Sequence, residues 1–146
     1  MEFIHYSVLQ NEVLELLVPP AEGGLLIDCT LGEGGHSELF LRKYPTLSVV
    51  GLDRDPKIIF KARERLSVFG DRFQAVNTWF DDFFSSYQGE QPSLVLFDLG
   101  ISVFHYEESG RGFSFRKSET LNMRLDDANG LSVSDMVNTY AEDQLA

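Results

Sequence analysis

The chain has 146 residues and a net charge of −11, with 43% apolar and 12% aromatic residues. This composition is typical of one globular domain with a buried core and excludes an intrinsically disordered chain. The acidic balance is unexpected for a nucleic-acid-binding surface, because contacts to phosphates are normally made by lysine and arginine.

A few residues indicate the cellular compartment of the protein and whether it binds a metal. The single cysteine, Cys29, excludes an internal disulfide and a cysteine-cluster zinc site. His5 and His36 have no partner at a metal-ligand spacing, so we expect no metal. No basic residue precedes Arg42, where a signal peptide would need one, and no apolar run approaches the roughly 20 residues of a membrane span. We therefore expect a cytoplasmic chain that does not contact a membrane.

Hydrophobic spacing predicts an alternation of helices and strands in the first hundred residues. Helical spacing predicts helices over residues 5–17, 37–44, 56–69 and 80–87. Short apolar runs predict buried strands over residues 25–27, 47–52, 73–76 and 94–97. Asp55 is the expected N-cap of the third helix, with Pro56 at its first position and Gly70 closing its end. This alternation indicates an α/β fold with a parallel sheet and right-handed crossovers.

The last forty residues have a different character. From Glu107 onward the chain is rich in charged and turn residues, and neither a strand nor a regular helix is predicted until a final one. That helix begins near Leu131, with Ser132 or Ser134 as its N-cap, and continues to the last residue. The sequence therefore predicts two domains, 1–106 and 107–146.

Three glycines lie in the loop after the first predicted strand. Gly32, Gly34 and Gly35 belong to the segment DCTLGEGGHSE, which opens the next helix. Glycine permits positive φ and leaves no Cβ in the way of a ligand. The bland alternative is a tight turn that needs glycine for its geometry alone.

Acidic residues follow three of the predicted strands: Asp28, Asp53 and Asp98. Ligands of open parallel sheets bind beyond the carboxyl ends of the strands, so we expect these acids on the rim of a binding site. Asp53 is placed to accept hydrogen bonds from both hydroxyls of an adenosine ribose. An acid at this position, together with three glycines, favours a nucleotide-like ligand over the bland alternative.

The NAD fingerprint is broken in this loop. It would need glycine at Ser37 to complete G-x-G-x-x-G. An acidic rim also suits a ligand with a sulfonium and an amino group better than one with a pyrophosphate.

Several segments together resemble the S-adenosylmethionine-dependent family that methylates N4 of a cytosine in bacterial 16S ribosomal RNA. They are HYSVLQNEVLELL, DCTLGEGGHSE, GLDRDP, LFDLGIS and above all RGFSFR followed by LNMRLD. The resemblance runs in order from His5 to the last residue. It implies a Rossmann-like class I methyltransferase fold, here with its first four strands, and the start of an inserted helical RNA-recognition domain. It also implies S-adenosylmethionine as cofactor and the small-subunit ribosomal RNA, free or in the 30S subunit, as partner.

The resemblance also assigns site residues. With Gly32 from the glycine loop, the expected cofactor contacts are Gly34, Gly35, His36, Asp53, Phe80 and Asp98. Where the family has a glutamine that touches the cofactor, this chain has His105, and the surrounding residues 103–107 also depart from the family pattern. Asn122 stands where the family has an aspartate.

Asp98 is the candidate catalytic residue. The N4 lone pair of cytosine is delocalised into the ring, so an acceptor near the amine and accurate placement of the reacting atoms are needed. Asp98 is expected to hold the methionine part of the cofactor, to accept from the target amine, or both. The alternative is a strand-end acid that caps the next turn.

Aromatic and basic residues follow the fourth strand. Phe104, Tyr106, Phe113 and Phe115 are candidates to receive an unstacked base, or else they pack on the core. Arg111, Arg116, Lys117 and Arg124 form a basic cluster that either begins an RNA-facing surface or pairs with nearby acids in a solvated loop.

Two alternative functions stay open. The first is a methyltransferase of the same fold that acts on another nucleic acid or a small molecule. The second is a truncated, non-catalytic remnant, because members of the resembling family are about twice as long. In a chain without the family's next strand, the fourth strand leaves an unpaired apolar edge. We therefore expect the isolated chain to self-associate or to be only marginally folded, and to show no methylation of small-subunit RNA.

Overall fold

The computed structural model describes residues 7–128 and 130–146. They divide into two compact units, the first ending at Gly100 and the second beginning at Ile101. We call them the sheet unit and the C-terminal unit. In the described residues the sheet unit contains α1 (Gln10–Leu16), β1 (Gly24–Asp28), α2 (Gly35–Lys43), β2 (Leu47–Asp53), α3 (Pro56–Leu66), a 3₁₀ helix (Ser67–Arg72), β3 (Phe73–Asn77), α4 (Phe80–Ser86) and β4 (Leu94–Leu96). The C-terminal unit contains α5 (Val103–Glu107), α6 (Val133–Thr139) and α7 (Glu142–Leu145).

The four strands form one parallel sheet in the order β3-β2-β1-β4. β1 is central: Leu26 pairs with Val49 of β2 on one side and with Leu94 of β4 on the other. All four predicted strands are confirmed, with ends that differ by at most one residue. Because consecutive strands run parallel and helices join them, the predicted α/β fold is also confirmed.

The core lies on both faces of the sheet. On one face Leu26 packs with Phe40 of α2 and Leu66 of α3. On the other face Leu25 and Ile27 pack in a cluster with Cys29 and Leu52. A strand buried on both faces reads as a continuous apolar run, which is why LLI in the sequence identified β1.

Cys29 is the buried thiol that the sequence indicated. Its side chain is 4% exposed, and burial raises the pKa of the thiol to about 12. The thiol is therefore uncharged at neutral pH.

Capping groups explain where α3 begins and where α2 ends. Asp55 Oδ1 accepts from the N–H of Lys57 at 2.9 Å, so the predicted N-cap is confirmed. After α2, the Arg72 guanidinium donates to the carbonyls of Leu41, Tyr44 and Leu47 at 3.1–3.2 Å. The prediction that α3 continues to Gly70 is wrong: it ends at Leu66, and the following 3₁₀ helix contains Gly70 with φ of 55°.

The C-terminal unit differs from the prediction at two places. α5 was not predicted; it begins after Ser102, whose Oγ accepts from the N–H of Phe104 at 3.2 Å. α6 begins after Ser132, which forms a capping box with Asp135, so one of the two predicted caps is confirmed. The predicted single helix to the end is wrong, because Tyr140 leaves helical geometry at ψ of 144° before α7 begins. Among the helices described in both units, none combines the length and apolar character that crossing a membrane requires.

We expect the 146-residue chain to self-associate through β4. This strand pairs with β1 on one side and has no strand on its other side among the described residues, and the Val95 side chain is 38% exposed. An apolar strand edge with unpaired N–H and C=O groups promotes pairing with another chain. Light scattering at rising concentration should show oligomers, and Val95→Lys should reduce them.

Val68→Lys is the matched control, because Val68 is 75% exposed but lies on the 3₁₀ helix, away from β4. We expect it to leave association unchanged. A monomer at every concentration, with a sharp thermal transition, would contradict the prediction.

Candidate functional site

Three carboxylates meet at the carboxyl edge of the sheet. Asp28 and Asp53 are the last residues of β1 and β2, and Asp98 lies two residues beyond β4. Burial is the main cause of the raised pKa of the Asp28 carboxyl, and the negative charges of Asp53 and Asp98 act on it in the same direction. The predicted rim of three acids is therefore present, and its members differ in burial: Asp28 is buried, Asp53 is half-buried and Asp98 is exposed.

Asp28 is an internal anchor. Its carboxylate accepts from Ser37 Oγ at 2.7 Å and from the N–H of Thr30 at 3.3 Å, and it is 1% exposed. Burial raises the pKa of Asp28 to about 6, against the opposing effect of these two hydrogen bonds. The side chain thus ties the end of β1 to the first turn of α2.

Asp53 holds the glycine loop. Its Oδ2 accepts from the N–H of Gly32 at 3.1 Å, and its Oδ1 accepts from the N–H of Asp55 at 2.9 Å. Gly32 has φ of 54°, and a Cβ built there would meet no atom closer than 3.9 Å. The space beside Gly32 and Asp53 is therefore open to a ligand.

The other two glycines of the loop have reasons within the fold. Gly34 has φ of 82°, and a Cβ there would lie 2.7 Å from Leu66 Cδ1. A Cβ on Gly35 would overlap the hydroxyl of Ser7. For these two positions the turn-and-packing alternative accounts for glycine without any ligand.

His36 and Asp98 lie side by side. His36 is in the first turn of α2, and its Nε2 is 3.6 Å from Asp98 Oδ2. Thr30 Oγ1 accepts from the Asp98 N–H at 2.6 Å. Burial lowers the pKa of His36, while the neighbouring carboxylate of Asp98 acts in the opposite direction. The imidazole is thus mainly neutral at pH 7.

Aromatic side chains follow β3. Phe80 begins α4 and meets the Phe97 ring edge to face, with centroids 5.4 Å apart. Beside it Trp79 is 44% exposed, and Asn77 Nδ2 donates to the carbonyls of Asp53 and Arg54. Sequence reasoning missed Trp79 and Asn77, although the predicted strand end at 76 put both next to the rim.

The basic cluster is divided by burial. Arg111 is 4% exposed, and its Nη1 donates to the carbonyls of Arg124 and Leu125 at 3.0 and 2.7 Å. Its guanidinium lies over the Phe104 and Phe113 rings, 6.0 and 5.8 Å from their centroids. Arg111 therefore does not lie on an RNA-facing surface, which was one of the two alternatives drawn from the sequence; its charge organises the interior of the C-terminal unit.

His105 lies inside the same unit. It is 3% exposed, and its ring centroid is 5.2 Å from that of Phe113.

By contrast Phe115 is 98% exposed, followed by the exposed Arg116 and Lys117. Of the candidate RNA-facing residues, these three form a surface segment, which we call the 115–117 tip.

Comparison with known proteins gives a consistent result. A family model described as the MraW methylase family matches residues 2–146. A protein from Treponema denticola named ribosomal RNA small subunit methyltransferase H is 50% identical over 100% of this chain and 47% of its own length. One of the same name from Borrelia turicatae is 48% identical over 97% of this chain and 49% of its own length. The chain thus spans about half the length of the curated relatives it matches.

A solved structure agrees on the fold. The C-terminal domain of precorrin-6Y C5,15-methyltransferase from Rhodobacter capsulatus superposes with a TM-score of 0.56 at 20% identity, over 70% of this chain and 54% of that one. At this identity the likeness concerns the architecture alone. It confirms the Rossmann-like class I methyltransferase fold.

Replacing Asp28 with asparagine should stabilise the protein at neutral pH. The pKa of Asp28 is raised from 3.8 to about 6 on folding, so the folded state favours the protonated carboxyl, and its stabilising contribution is lost as pH rises from about 4 to 6. Above pH 6, Asp28→Asn should gain on the order of 2–3 kcal/mol in the free energy of unfolding. Urea unfolding at pH 4 and 7.5 checks this.

The difference between the two proteins should vanish near pH 4, where both side chains are uncharged. Asp81→Asn on the exposed face of α4 is the control and should change stability little at either pH. A variant that is equally or less stable than the parent at pH 7.5 would contradict the prediction.

Proposed function

Because the chain belongs to the MraW methylase family, we propose that it forms the cofactor-binding part of an S-adenosylmethionine-dependent methyltransferase acting on N4 of a cytosine in small-subunit ribosomal RNA. The observation that carries the proposal is the family match over residues 2–146. The open space beside Gly32 and Asp53, at the sheet edge where such folds bind nucleotides, supports it.

The residues at this edge fit the chemistry of the cofactor. The cofactor supplies a methyl group on a positively charged sulfonium sulfur. Asp53 offers carboxylate oxygens to ribose hydroxyls, and Asp98 provides a second negative charge on the same rim. Phe80 and Trp79, beside the end of β2, offer apolar faces to an adenine ring. Gly32 leaves room for the ligand, whereas Gly34 and Gly35 are required by the backbone conformation and the packing of the loop itself.

Asp98 is the proposed catalytic residue. Its side chain is 42% exposed, so a bound amine can reach it, and its backbone N–H is fixed by Thr30. A carboxylate that accepts a hydrogen bond from the N–H of the target amine makes the nitrogen lone pair more available for attack on the methyl carbon. The sulfur–methyl bond of the cofactor would break as the nitrogen–carbon bond forms, and the amine proton would pass to Asp98 or to water. The site would also have to place the target base and the cofactor so that the nitrogen, the methyl carbon and the sulfur lie in line.

The 115–117 tip is the proposed RNA contact. Unpaired bases stack on exposed aromatic rings, and basic side chains beside them pair with phosphates. Phe115 supplies the ring and Arg116 the charge, whereas the Lys117 amine donates to the Glu107 carbonyl. The role of His105 in cofactor binding stays a prediction.

Asp53→Ala should weaken binding of S-adenosylmethionine or its demethylated product by about 2 kcal/mol, which is the size of a lost set of hydrogen bonds to a charged group. Calorimetry measures this directly, and NAD should show no binding to either protein. Asp81→Ala, an exposed acid on α4, is the control and should leave affinity unchanged. Equal affinity in Asp53→Ala and the parent would refute the cofactor assignment.

Phe115→Ala should lower the affinity for a single-stranded fragment of small-subunit RNA by about 1–3 kcal/mol, the cost of one lost base–aromatic stack. Arg116→Ala should weaken binding and reduce the salt dependence by about one released counterion. Fluorescence anisotropy at several salt concentrations measures both. Phe60→Ala is the control, because Phe60 is 62% exposed on α3 and should not bind RNA. Equal losses of RNA affinity in Phe115→Ala and Phe60→Ala would contradict the proposal that the 115–117 tip binds RNA.

A further inference from the structure

His36 is too buried to offer a ligand much of its surface. Its side chain is 8% exposed, compared with 42% for the neighbouring Asp98. Its Nε2 lies 3.6 Å from the Asp98 carboxylate. The imidazole can therefore act on a molecule bound at the rim through Asp98.

The surroundings of the ring indicate which nitrogen carries the proton. Nδ1 is buried and has no hydrogen-bond partner within residues 7–128 and 130–146. An imidazolium would leave a buried N–H at that position without an acceptor, which is costly, whereas a neutral ring leaves only an unused lone pair there. The arrangement thus favours the neutral tautomer with hydrogen on Nε2, directed at Asp98 Oδ2.

Asp98 is consequently held from two sides by the segment that follows β1. Thr30 accepts from its backbone N–H at 2.6 Å, and His36 approaches its carboxylate. Hydrogen bonds at such sites are often long without a ligand and shorten when one binds. A carboxylate on a short strand end would otherwise be free to rotate.

We propose that His36 is a positioning residue that orients the Asp98 carboxylate through an Nε2–H donor. The proposal rests on the proposed function in that Asp98 is the group presented to cofactor and substrate. Thr30 completes the arrangement by fixing the backbone of the same residue.

A test of the contact itself needs no cofactor. Asp98 raises the pKa of His36 against the lowering effect of burial, so Asp98→Asn should lower the pKa of His36 further. NMR titration of the imidazole carbons measures this, and the His36→Gln spectrum identifies the signals among the three histidines of the chain. An unchanged His36 pKa in Asp98→Asn would overturn the proposal.

Nearby carboxylates require this spectroscopic measurement rather than a pH profile of binding. Asp28, bonded to Ser37 next to His36, has a pKa raised to about 6 and titrates in the same range. Asp53 lies on the same rim, and Glu33 and Glu38 flank the loop and the helix that carry His36. The pH dependence of cofactor affinity would combine several of these groups, whereas the imidazole signals report His36 alone.

A double-mutant cycle tests the consequence for binding. Calorimetry with the demethylated cofactor is carried out on the parent, His36→Met, Asp98→Asn and the double variant, with thermal unfolding to verify that each is folded. We expect His36→Met to weaken binding about tenfold in the parent and less than about twofold in Asp98→Asn, as for residues that act as a unit. Equal losses in both backgrounds would overturn the proposal.

The conservative variant separates positioning from structural support. The amide nitrogen of glutamine reaches the place of Nε2, so His36→Gln should retain affinity within about threefold of the parent, while His36→Met, of similar size but without a donor, should not. Equal loss in both variants would contradict an oriented donor. If no protein binds the cofactor, the proposed function fails, and the NMR titration still decides the His36–Asp98 contact.

Discussion

Parallel pairing of β1 with both β2 and β4 is the constraint on which the candidate site depends. Parallel strands end at the same edge of a sheet, so the acids that follow them have to meet there. The register puts Asp28 opposite Gly51 of β2 and opposite Leu96 of β4. Continuing each strand by two residues brings Asp53 and Asp98 to either side of the glycine loop. The burial of β1 on both faces fixes this register, because a shift of the strand by one residue would move the Leu26 side chain to the opposite face of the sheet.

Gathering carboxylates at one edge has an electrostatic cost, and the loop backbone offsets much of it. Asp53 accepts N–H bonds from Gly32 and Asp55, and Thr30 binds both Asp28 and, through its hydroxyl, the backbone of Asp98. Asp28 retains a raised pKa in spite of its hydrogen bonds because it is the most deeply buried of the three. The proposed cofactor is positively charged, and such a ligand would supply the counter-charge that a rim of carboxylates lacks.

Local patterns were sufficient for the four strands and for the start of α3, but not for every helix or for the reasons behind individual glycines. The apolar run LLI, the acids at the ends of β1, β2 and β4 and the Asp55–Pro56 cap are each readable within a few residues, and all are present in the structure. The sequence could not show which glycines of the loop leave room for a ligand and which are required by packing. Gly34 faces Leu66, which is 32 positions away, and Gly35 faces Ser7, so the sequence marks them only as glycines. The break at Tyr140 and the short α5 depend on tertiary context that periodicity does not carry.

The segment RGFSFR shows why a specific motif need not be a contact surface. Its first half points inward: Arg111 donates to two carbonyls, and Gly112, with φ of 81°, has Thr120 O so close that a Cβ would collide with it. Phe113 lies under the Arg111 guanidinium. Its second half points outward, with Phe115 almost fully exposed. One arginine thus builds the C-terminal unit and the other lies on its surface. Two residues of the same type and charge have opposite roles because one is desolvated against carbonyls and rings and the other remains in water.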